Sequence, residues 1–171
     1  PKNYKGPSEI IATPVFYKNR VYVAGGRDPE HGIARGILHC IDATKTGDVT
    51  KTARIWSYDK IARTMSTVAI ADGLLYISDY AGLVHCLDAE TGKVCWVHNT
   101  KERIWSSTLV ADGKVYVGTE KKNMFIFKTG RKKQLLATIK MPHKISTTPI
   151  TAGGSIYVPT ARCIYAVGKT K

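Results

Sequence analysis

The sequence predicts an all-β protein, a β-propeller segment of about four blades of four-stranded antiparallel sheet with the last blade incomplete. The main observation is a Val/Leu/Ile-Tyr-Val/Ile strand that recurs four times, with its tyrosines separated by 54, 40 and 41 residues: Tyr22, Tyr76, Tyr116 and Tyr157. In addition, Val, Ile, Tyr and Thr dominate the apolar runs, while no stripe of 3.6-residue period persists. Four short strands in a period of about 40 residues are typical of a propeller blade.

Each unit is predicted to begin with a tight hairpin that ends in the tyrosine strand. A turn dipeptide precedes each of these strands: Lys18-Asn19, Asp72-Gly73, Asp112-Gly113 and Gly153-Gly154. Asp-Gly and Gly-Gly suit such turns because these residues reach positive φ at low cost. A small hydroxyl residue also stands nine residues before each tyrosine: Thr13, Thr67, Ser107 and Thr148. The phase of the repeat therefore holds in all four units.

Two further strands are expected in each complete unit. The third strands are predicted at 37–42, 83–88, 123–127 and 163–167, and the fourth strands at 55–58, 94–97 and 135–139. The last unit ends before a fourth strand. We therefore divide the chain into a lead-in, a blade with insertions, two regular blades and an incomplete blade: 1–10, 11–63, 64–103, 104–144 and 145–171. Residues 26–36, rich in Gly and charge, are expected to form an excursion on the rim of the first blade.

The run Leu87-Asp88-Ala89-Glu90-Thr91-Gly92-Lys93-Val94-Cys95-Trp96 resembles the repeat motif of the PQQ-like propeller family. A stretched copy begins at Asp42-Ala43 and reaches its tryptophan late, at Trp56, while the third unit keeps only Thr129-Gly130. In that family the motif ties neighbouring blades together. The resemblance therefore implies a structural, blade-docking role for Asp88, Thr91, Gly92, Trp96 and Trp56.

The same resemblance implies a closed ring of blades and a cellular compartment. Propellers of this kind close into rings of roughly seven or eight blades, so the chain corresponds to the C-terminal half of a ring. Its expected partner is the remaining half of the propeller or another polypeptide. The sequence itself records no compartment, and the resemblance implies a periplasmic or extracytoplasmic one.

The charge balance favours anionic partners. The chain has 26 Lys and Arg against 13 Asp and Glu, a net charge of +13, so an acidic protein or an anionic ligand is expected, with nucleic acid disfavoured. No apolar run approaches the roughly 20 residues that cross a bilayer, and no membrane span is predicted.

No catalytic residues are recognised, and no metal site is predicted. The four cysteines, Cys40, Cys86, Cys95 and Cys163, show no C-x-x-C spacing and are expected to be small buried apolar side chains. The resemblance implies that a quinoprotein enzyme would need a vicinal Cys-Cys pair and a calcium site, and neither is visible. No cofactor is therefore expected in this chain. PQQ and calcium are expected only if the chain is a fragment of such an enzyme. His39 and His85 occupy equivalent repeat positions and are attributed to the repetition.

Basic residues recur in the loops that lead into the first strand of successive units. Arg63, Arg103 and Lys144 each stand thirteen residues before a repeat tyrosine. In a ring they would recur around one mouth of the central channel, with Trp105 and His143 in the same loops. Converging cations in a funnel attract anions, so these five residues form a candidate anion-binding site.

Three functions are compatible with these residues. The favoured hypothesis is a non-catalytic PQQ-like β-propeller that serves as a protein- or ligand-binding scaffold, because fold alone does not specify chemistry and catalytic residues are not recognised. The alternatives are a fragment of a PQQ-dependent oxidoreductase whose active site lies mostly outside this chain, and a polyanion-binding module.

Overall fold

A computed structural model of the chain describes residues 9–26 and 35–168. Most of the lead-in at 1–10 and most of the expected excursion at 26–36 lie outside these ranges. The described residues contain no helix, and hence none that could span a membrane.

The described residues form four antiparallel sheets, which confirms the predicted fold class. Three sheets have four strands, the last has three, and in each the strands are neighbours in chain order. Blade 1 contains β1 (Val15–Tyr17), β2 (Arg20–Gly25), β3 (Ile37–Asp42) and β4 (Arg54–Tyr58). Blade 2 contains β5 (Ala69–Ala71), β6 (Leu74–Ser78), β7 (Leu83–Asp88) and β8 (Val94–Asn99). Blade 3 contains β9 (Leu109–Ala111), β10 (Lys114–Gly118), β11 (Asn123–Lys128) and β12 (Leu135–Lys140). Blade 4 contains β13 (Ile150–Ala152), β14 (Ser155–Pro159) and β15 (Ile164–Val167).

The first hairpin of every blade turns through two residues with positive φ. In blade 2 these are Asp72 at 50° and Gly73 at 74°, and in blade 1 Lys18 and Asn19 take the same conformation at 49° and 58°. Two consecutive left-handed residues give the turn whose twist matches that of the strands it joins. The turn dipeptides therefore fix the register that places each repeat tyrosine on a common face.

Alternation along the strands gives each blade one face toward the preceding blade and one toward the following blade. Tyr22 and Leu38 of blade 1 pack with Leu75 and Leu87 of blade 2 in one buried cluster. Tyr76 and Trp96 on the other face of blade 2 pack in the same way against blade 3, and Tyr116 of blade 3 against blade 4. The core is thus divided into three layers, and Tyr22, Tyr76 and Tyr116 each face the next blade.

A chain of hydrogen bonds joins the blades through the recurring hydroxyl residues. The Thr13 amide donates to Thr67 Oγ1 over 3.1 Å, the Thr67 amide to Ser107 Oγ over 2.9 Å, and the Ser107 amide to Thr148 Oγ1 over 3.0 Å. Each hydroxyl thus accepts from the equivalent residue of the preceding blade. This bonding explains why the sequence keeps a hydroxyl nine residues before each repeat tyrosine.

Candidate functional site

The recurring basic residues lie where the loop between two blades meets the turn between the second and third strands. The amide of Tyr80 donates to the Arg63 carbonyl, that of Glu120 to the Arg103 carbonyl, and that of Ala161 to the Lys144 carbonyl, each over 3.0 Å. The main chain of every basic residue is therefore fixed to its own blade in the same way. This repetition places the three residues on one face of the array of four blades, which we call the fan.

The structure brings Arg63, Arg103 and Trp105 together around Tyr80, a residue that the sequence analysis did not identify. The Arg63 guanidinium lies 4.5 Å from the centre of the Tyr80 ring, and the Arg103 guanidinium 5.4 Å from it. Trp105 meets the same ring edge-on at 5.3 Å. We call these four residues the rim cluster. The sequence signal that could have identified Tyr80 is its position in the turn after the second strand of blade 2, because this turn faces the basic loop.

Trp105 contributes a polar atom to this cluster. Its Nε1 is buried and has no hydrogen-bond partner among the described residues. Most buried N–H groups in proteins find an acceptor, so this donor is an exception that a bound group or a water could satisfy.

Lys144 and His143 line a separate cleft of the same face, between blades 3 and 4. The cleft has a volume of about 440 Å³ and is lined by Glu120, Lys122, Pro142, His143, Lys144, Ala161 and Arg162. The His143 Nδ1 lies 3.3 Å from the Tyr165 hydroxyl. The five residues of the predicted anion site are therefore divided between two positions, of which the rim cluster is the more tightly packed.

The motif residues lie at the seams between blades. Trp56 Nε1 donates to the Ala89 carbonyl over 3.2 Å, and the Trp56 ring covers Gly92 so closely that a Cβ there would come within 2.7 Å of it. Gly92 also has a φ of +71°, which a larger residue adopts at a cost. Space and backbone conformation therefore both require glycine at this position.

Trp96 repeats this contact one blade further along. Its Nε1 donates to the Gly130 carbonyl over 2.9 Å, and its ring lies 5.4 Å from that of Phe127. The Gly130 amide in turn donates to the Tyr76 hydroxyl over 2.9 Å. The Thr-Gly turn of blade 3 is thus held by two aromatic side chains of blade 2.

Asp88 closes the turn of the motif in blade 2. Its Oδ1 accepts hydrogen bonds from the Thr91 amide at 2.9 Å and the Thr91 hydroxyl at 2.8 Å, while Oδ2 accepts from Arg131 of blade 3. The Arg131 hydrogen bond, followed by those of Thr91, lowers the pKa of Asp88 to about 2. The carboxylate therefore remains ionised at neutral pH and connects blades 2 and 3.

A buried polar network joins blades 1 and 2 and was not predicted. The Asp79 carboxylate accepts from His85 Nε2 at 3.1 Å, and His85 Nδ1 lies 3.1 Å from the Tyr58 hydroxyl. Because a carboxylate only accepts, Nε2 carries a proton toward Asp79, and in the neutral imidazole Nδ1 accepts from the Tyr58 hydroxyl. Burial first, and then the Asp79 charge, raises the pKa of Tyr58. His39, at the equivalent position of blade 1, has no such partner, and its Nδ1 is buried without a hydrogen bond among the described residues.

The cysteines depart from the prediction that all are buried. Cys40 and Cys86 are buried, Cys95 is half-buried and Cys163 is exposed. Cys163 lies outside the last strand, which begins at Ile164 and not at the predicted position 163. It belongs to the turn that joins β14 to β15, where its carbonyl accepts hydrogen bonds from the Thr160 amide and hydroxyl.

The residues of 9–26 and 35–168 do not fit a calcium-quinone site. Within these ranges, no three His, Cys, Asp or Glu side chains are placed to share a metal ion. Asp79 and Asp88 direct both of their carboxylate oxygens at protein donors. Calcium needs six or more oxygen ligands, and we therefore derive no reaction through a quinone from these residues.

Comparison with known proteins gives matches to propellers of one family. The family model described as outer membrane protein assembly factor BamB matches residues 8–98 and 34–167. Quinohemoprotein alcohol dehydrogenase of Comamonas testosteroni is 31% identical, in a match that covers 68% of this chain and 17% of the dehydrogenase. The chain thus spans a small part of that relative.

Solved structures show the same fold. BamB of Moraxella catarrhalis superposes with a TM-score of 0.70 at 14% identity, over 91% of this chain and 42% of BamB. The Comamonas testosteroni dehydrogenase gives 0.69 at 18% identity, over 91% of this chain and 30% of the enzyme. The computationally designed protein Ika4 gives 0.71 at 13% identity, over 94% of this chain and 92% of Ika4. At these identities the likeness shows the fold alone.

Proposed function

The chain belongs to the PQQ-like propeller family whose model is described as outer membrane protein assembly factor BamB, and from this membership we propose that it is a non-catalytic scaffold that binds an acidic protein segment. The observation that carries the proposal is the pair of guanidinium groups over the Tyr80 ring. We place the binding site at the rim cluster.

The rim cluster has the chemistry that recognises carboxylates. An anion placed beside the two guanidinium groups would interact favourably with both positive charges. Arginine presents a planar fork of donors that binds a carboxylate with two hydrogen bonds. The Trp105 N–H adds a donor, and the Tyr80 ring adds an apolar surface beside them. An Asp- or Glu-containing loop of a partner protein has the chemistry that matches these groups.

The proposed compartment is extracytoplasmic. The support is the description of the family model, which names an outer membrane assembly factor. The net charge of +13 would steer an acidic partner toward the scaffold in that compartment.

Removing both arginines of the rim cluster is expected to weaken the binding of an acidic peptide about 10- to 100-fold, since each charge-assisted hydrogen bond contributes about 1.5 kcal/mol or less in this setting. The probe is a Glu- and Asp-rich peptide, titrated into the native protein and its Arg63→Gln/Arg103→Gln variant. Trp105 lies inside the cluster, so binding is measured by its fluorescence and by calorimetry.

Arg54→Gln supplies the matched control, because Arg54 is an exposed arginine on β4 and no contact joins it to the rim cluster. It should bind the peptide as the native protein does. Because Arg54→Gln removes one positive charge and the double variant removes two, a loss of binding free energy about half as large in the Arg54→Gln variant would show that net charge and not the cluster is responsible, in favour of the polyanion-binding alternative. Tight, stoichiometric binding of PQQ with Ca²⁺, unaffected by the double substitution, would favour the oxidoreductase alternative.

We also propose that further blades of the same type complete the ring, because the hydroxyl-to-amide chain stops at both ends of the fan. Among the described residues, no hydroxyl accepts from the Thr148 amide and no amide donates to Thr13 Oγ1. At a further interface of the same kind, an amide at the repeat position of Thr148 would donate to a hydroxyl at the repeat position of Thr13 in the next blade. The rest of a longer chain or a second copy would supply the same geometry at the seam.

The outer face of blade 4 has the residues that such a seam requires. Tyr157 lies opposite Ile150 in the hairpin register, on the face turned away from blade 3. Ile150 and Ile164, on the same face, are 57% and 67% exposed. The corresponding face of blade 2 is covered by blade 3, so the exposed face of blade 4 is the expected contact for the next blade.

In the assembled protein the amides of β15 are expected to be protected from hydrogen exchange, because a fourth strand should pair with its free edge. Ile164→Asp should reduce assembly about 10-fold or more, since it places a charge in an apolar seam. Val94→Asp is the control, because Val94 is an exposed apolar residue of blade 2 and lies away from the proposed seam at blade 4. A monomeric 171-residue chain whose β15 amides are already protected would contradict ring completion by other blades.

A further inference from the structure

Blade 2 contains two thiols on one face, and the reason is a β-bulge. In the ladder between β7 and β8, Cys86 lies opposite Trp96 and Leu87 lies opposite Val94, so Cys95 is the extra residue. The two residues of a bulge oppose one residue of the partner strand. Cys95 therefore lies beside Trp96 and opposite Cys86, and it packs against the same buried cluster as both.

Blades 1 and 3 have the same bulge but not the same residues. In blade 1, Cys40 lies opposite Trp56 and the extra residue is Ile55, and in blade 3 the extra residue is Leu136. Blade 2 is thus the one described blade in which both positions are cysteine. Repetition of the motif does not account for the pair, since the repeat accepts Ile or Leu at the bulge.

Both sulfurs contact one turn of blade 3. Cys86 Sγ lies 3.8 Å from the Gly130 carbonyl oxygen, and Cys95 Sγ lies 3.8 Å from Arg131 Nη1, on the adjacent residue. Burial first, then the neighbouring Cys95, raises the pKa of the Cys86 thiol to about 12. Cross-strand neighbours have Cα separations within the range that disulfides span.

We infer that Cys86 and Cys95 form a redox-active dithiol site, which a disulfide-bearing donor converts to an intrablade disulfide at the seam between blades 2 and 3. The two sulfurs have different accessibility, and this sets their roles. Cys95 is half-buried and can be reached from solution, whereas Cys86 is fully buried. The Arg131 guanidinium lies next to the accessible sulfur.

The reaction is a thiol-disulfide exchange in two steps. The Cys95 sulfur, as thiolate, attacks one sulfur of the donor R–S–S–R, forming a mixed disulfide and releasing one thiolate, which takes up the proton that Cys95 lost. The Cys86 sulfur then attacks Cys95 Sγ, forming the Cys86–Cys95 bond, breaking the bond to the donor and releasing the second thiolate, which takes up the Cys86 proton. The protein loses two electrons and two protons, and the donor becomes two thiols.

The test uses oxidised glutathione as donor and the native, assembled protein, with its fold checked by circular dichroism. Lys93 lies between the two cysteines, so trypsin separates them and their peptides stay joined only through a disulfide. After free thiols are alkylated, mass spectrometry should show the two peptides linked, with the mass of two hydrogens lost. Dithiothreitol should remove the link completely.

Two variants test the assigned roles. In Cys86→Ala, glutathione should remain attached to Cys95, and in Cys95→Ser, Cys86 should remain a free thiol while the protein is folded. The linked peptide should be lost in both variants. The inference would be overturned if glutathione accumulated on Cys95 of the native protein without linkage, if Cys95 did not react, or if the linked peptide formed only in urea. Because this test does not depend on the rim cluster, its outcome is independent of that of the proposed scaffold function.

Discussion

Replacing Trp96 by alanine is expected to lower the free energy of unfolding by about 3–5 kcal/mol, the usual cost of removing a buried large aromatic side chain. Trp96 is 7% exposed and lies between Tyr76 and Phe127, at 6.0 and 5.4 Å from their ring centres. The substitution would open a cavity between blades 2 and 3 and leave the Gly130 carbonyl without its indole donor. The loss is measured by urea unfolding followed by far-UV circular dichroism.

Two variants separate packing from hydrogen bonding at this seam. Trp96→Phe keeps most of the apolar volume and should cost about 1–2 kcal/mol, as a lost hydrogen bond does. Trp56→Ala should cost less than Trp96→Ala, because Trp56 is only partly buried. If Trp96→Ala proved no more destabilising than Trp56→Ala, the seam between blades 2 and 3 would not depend on the buried aromatic cluster.

Replacing Asp79 by alanine is expected to cost about 2–4 kcal/mol, because it leaves buried donors without their acceptor. Asp79 is 1% exposed, and its carboxylate accepts from the amides of Ala62 and Leu83, both at 3.0 Å, as well as from His85. These donors come from the loop before blade 2 and from β7. The variant should therefore loosen the seam between blades 1 and 2, as measured by thermal unfolding and by hydrogen exchange of the Ala62 and Leu83 amides.

The control for Asp79→Ala is Asp59→Ala, since Asp59 is an exposed carboxylate close by in the chain. It should change stability by no more than about 0.5 kcal/mol. The double variant Asp79→Ala/His85→Phe should cost less than the sum of the single variants, by about 1 kcal/mol or more, because removing the imidazole also removes one unsatisfied donor. Strict additivity would show that Asp79 and His85 are not energetically coupled.

Much of the fold could be predicted because its signals are local and repeated. The turn residues Asp72-Gly73 specify a hairpin by their own backbone preferences, and the same signal returns in every unit. A weak preference that occurs four times in phase becomes a strong one. The third and fourth strands were predicted within one or two residues of their bounds for the same reason.

The candidate sites were less predictable, because each depends on residues from different blades or strands. Arg63 and Arg103 were identified by their spacing, but their shared neighbour, Tyr80, is set by the packing of two loops against one turn. His39 and His85 are equivalent in sequence, yet only His85 has an aspartate and a tyrosine beside it. Periodicity assigns equivalent positions and does not show which neighbours differ.

By itself, the sequence determined that this chain is a run of propeller blades with a basic surface, because hydrophobic alternation, turn chemistry and net charge are properties of short segments and of composition. The tertiary structure decided which side chains meet: the rim cluster around Tyr80, the buried Asp79–His85–Tyr58 network, and the Cys86 and Cys95 thiols at a bulge. Such contacts follow from the register of strands and the stacking of sheets. A shift of one residue in strand register would move strand side chains such as His85 and Cys86 to the other face.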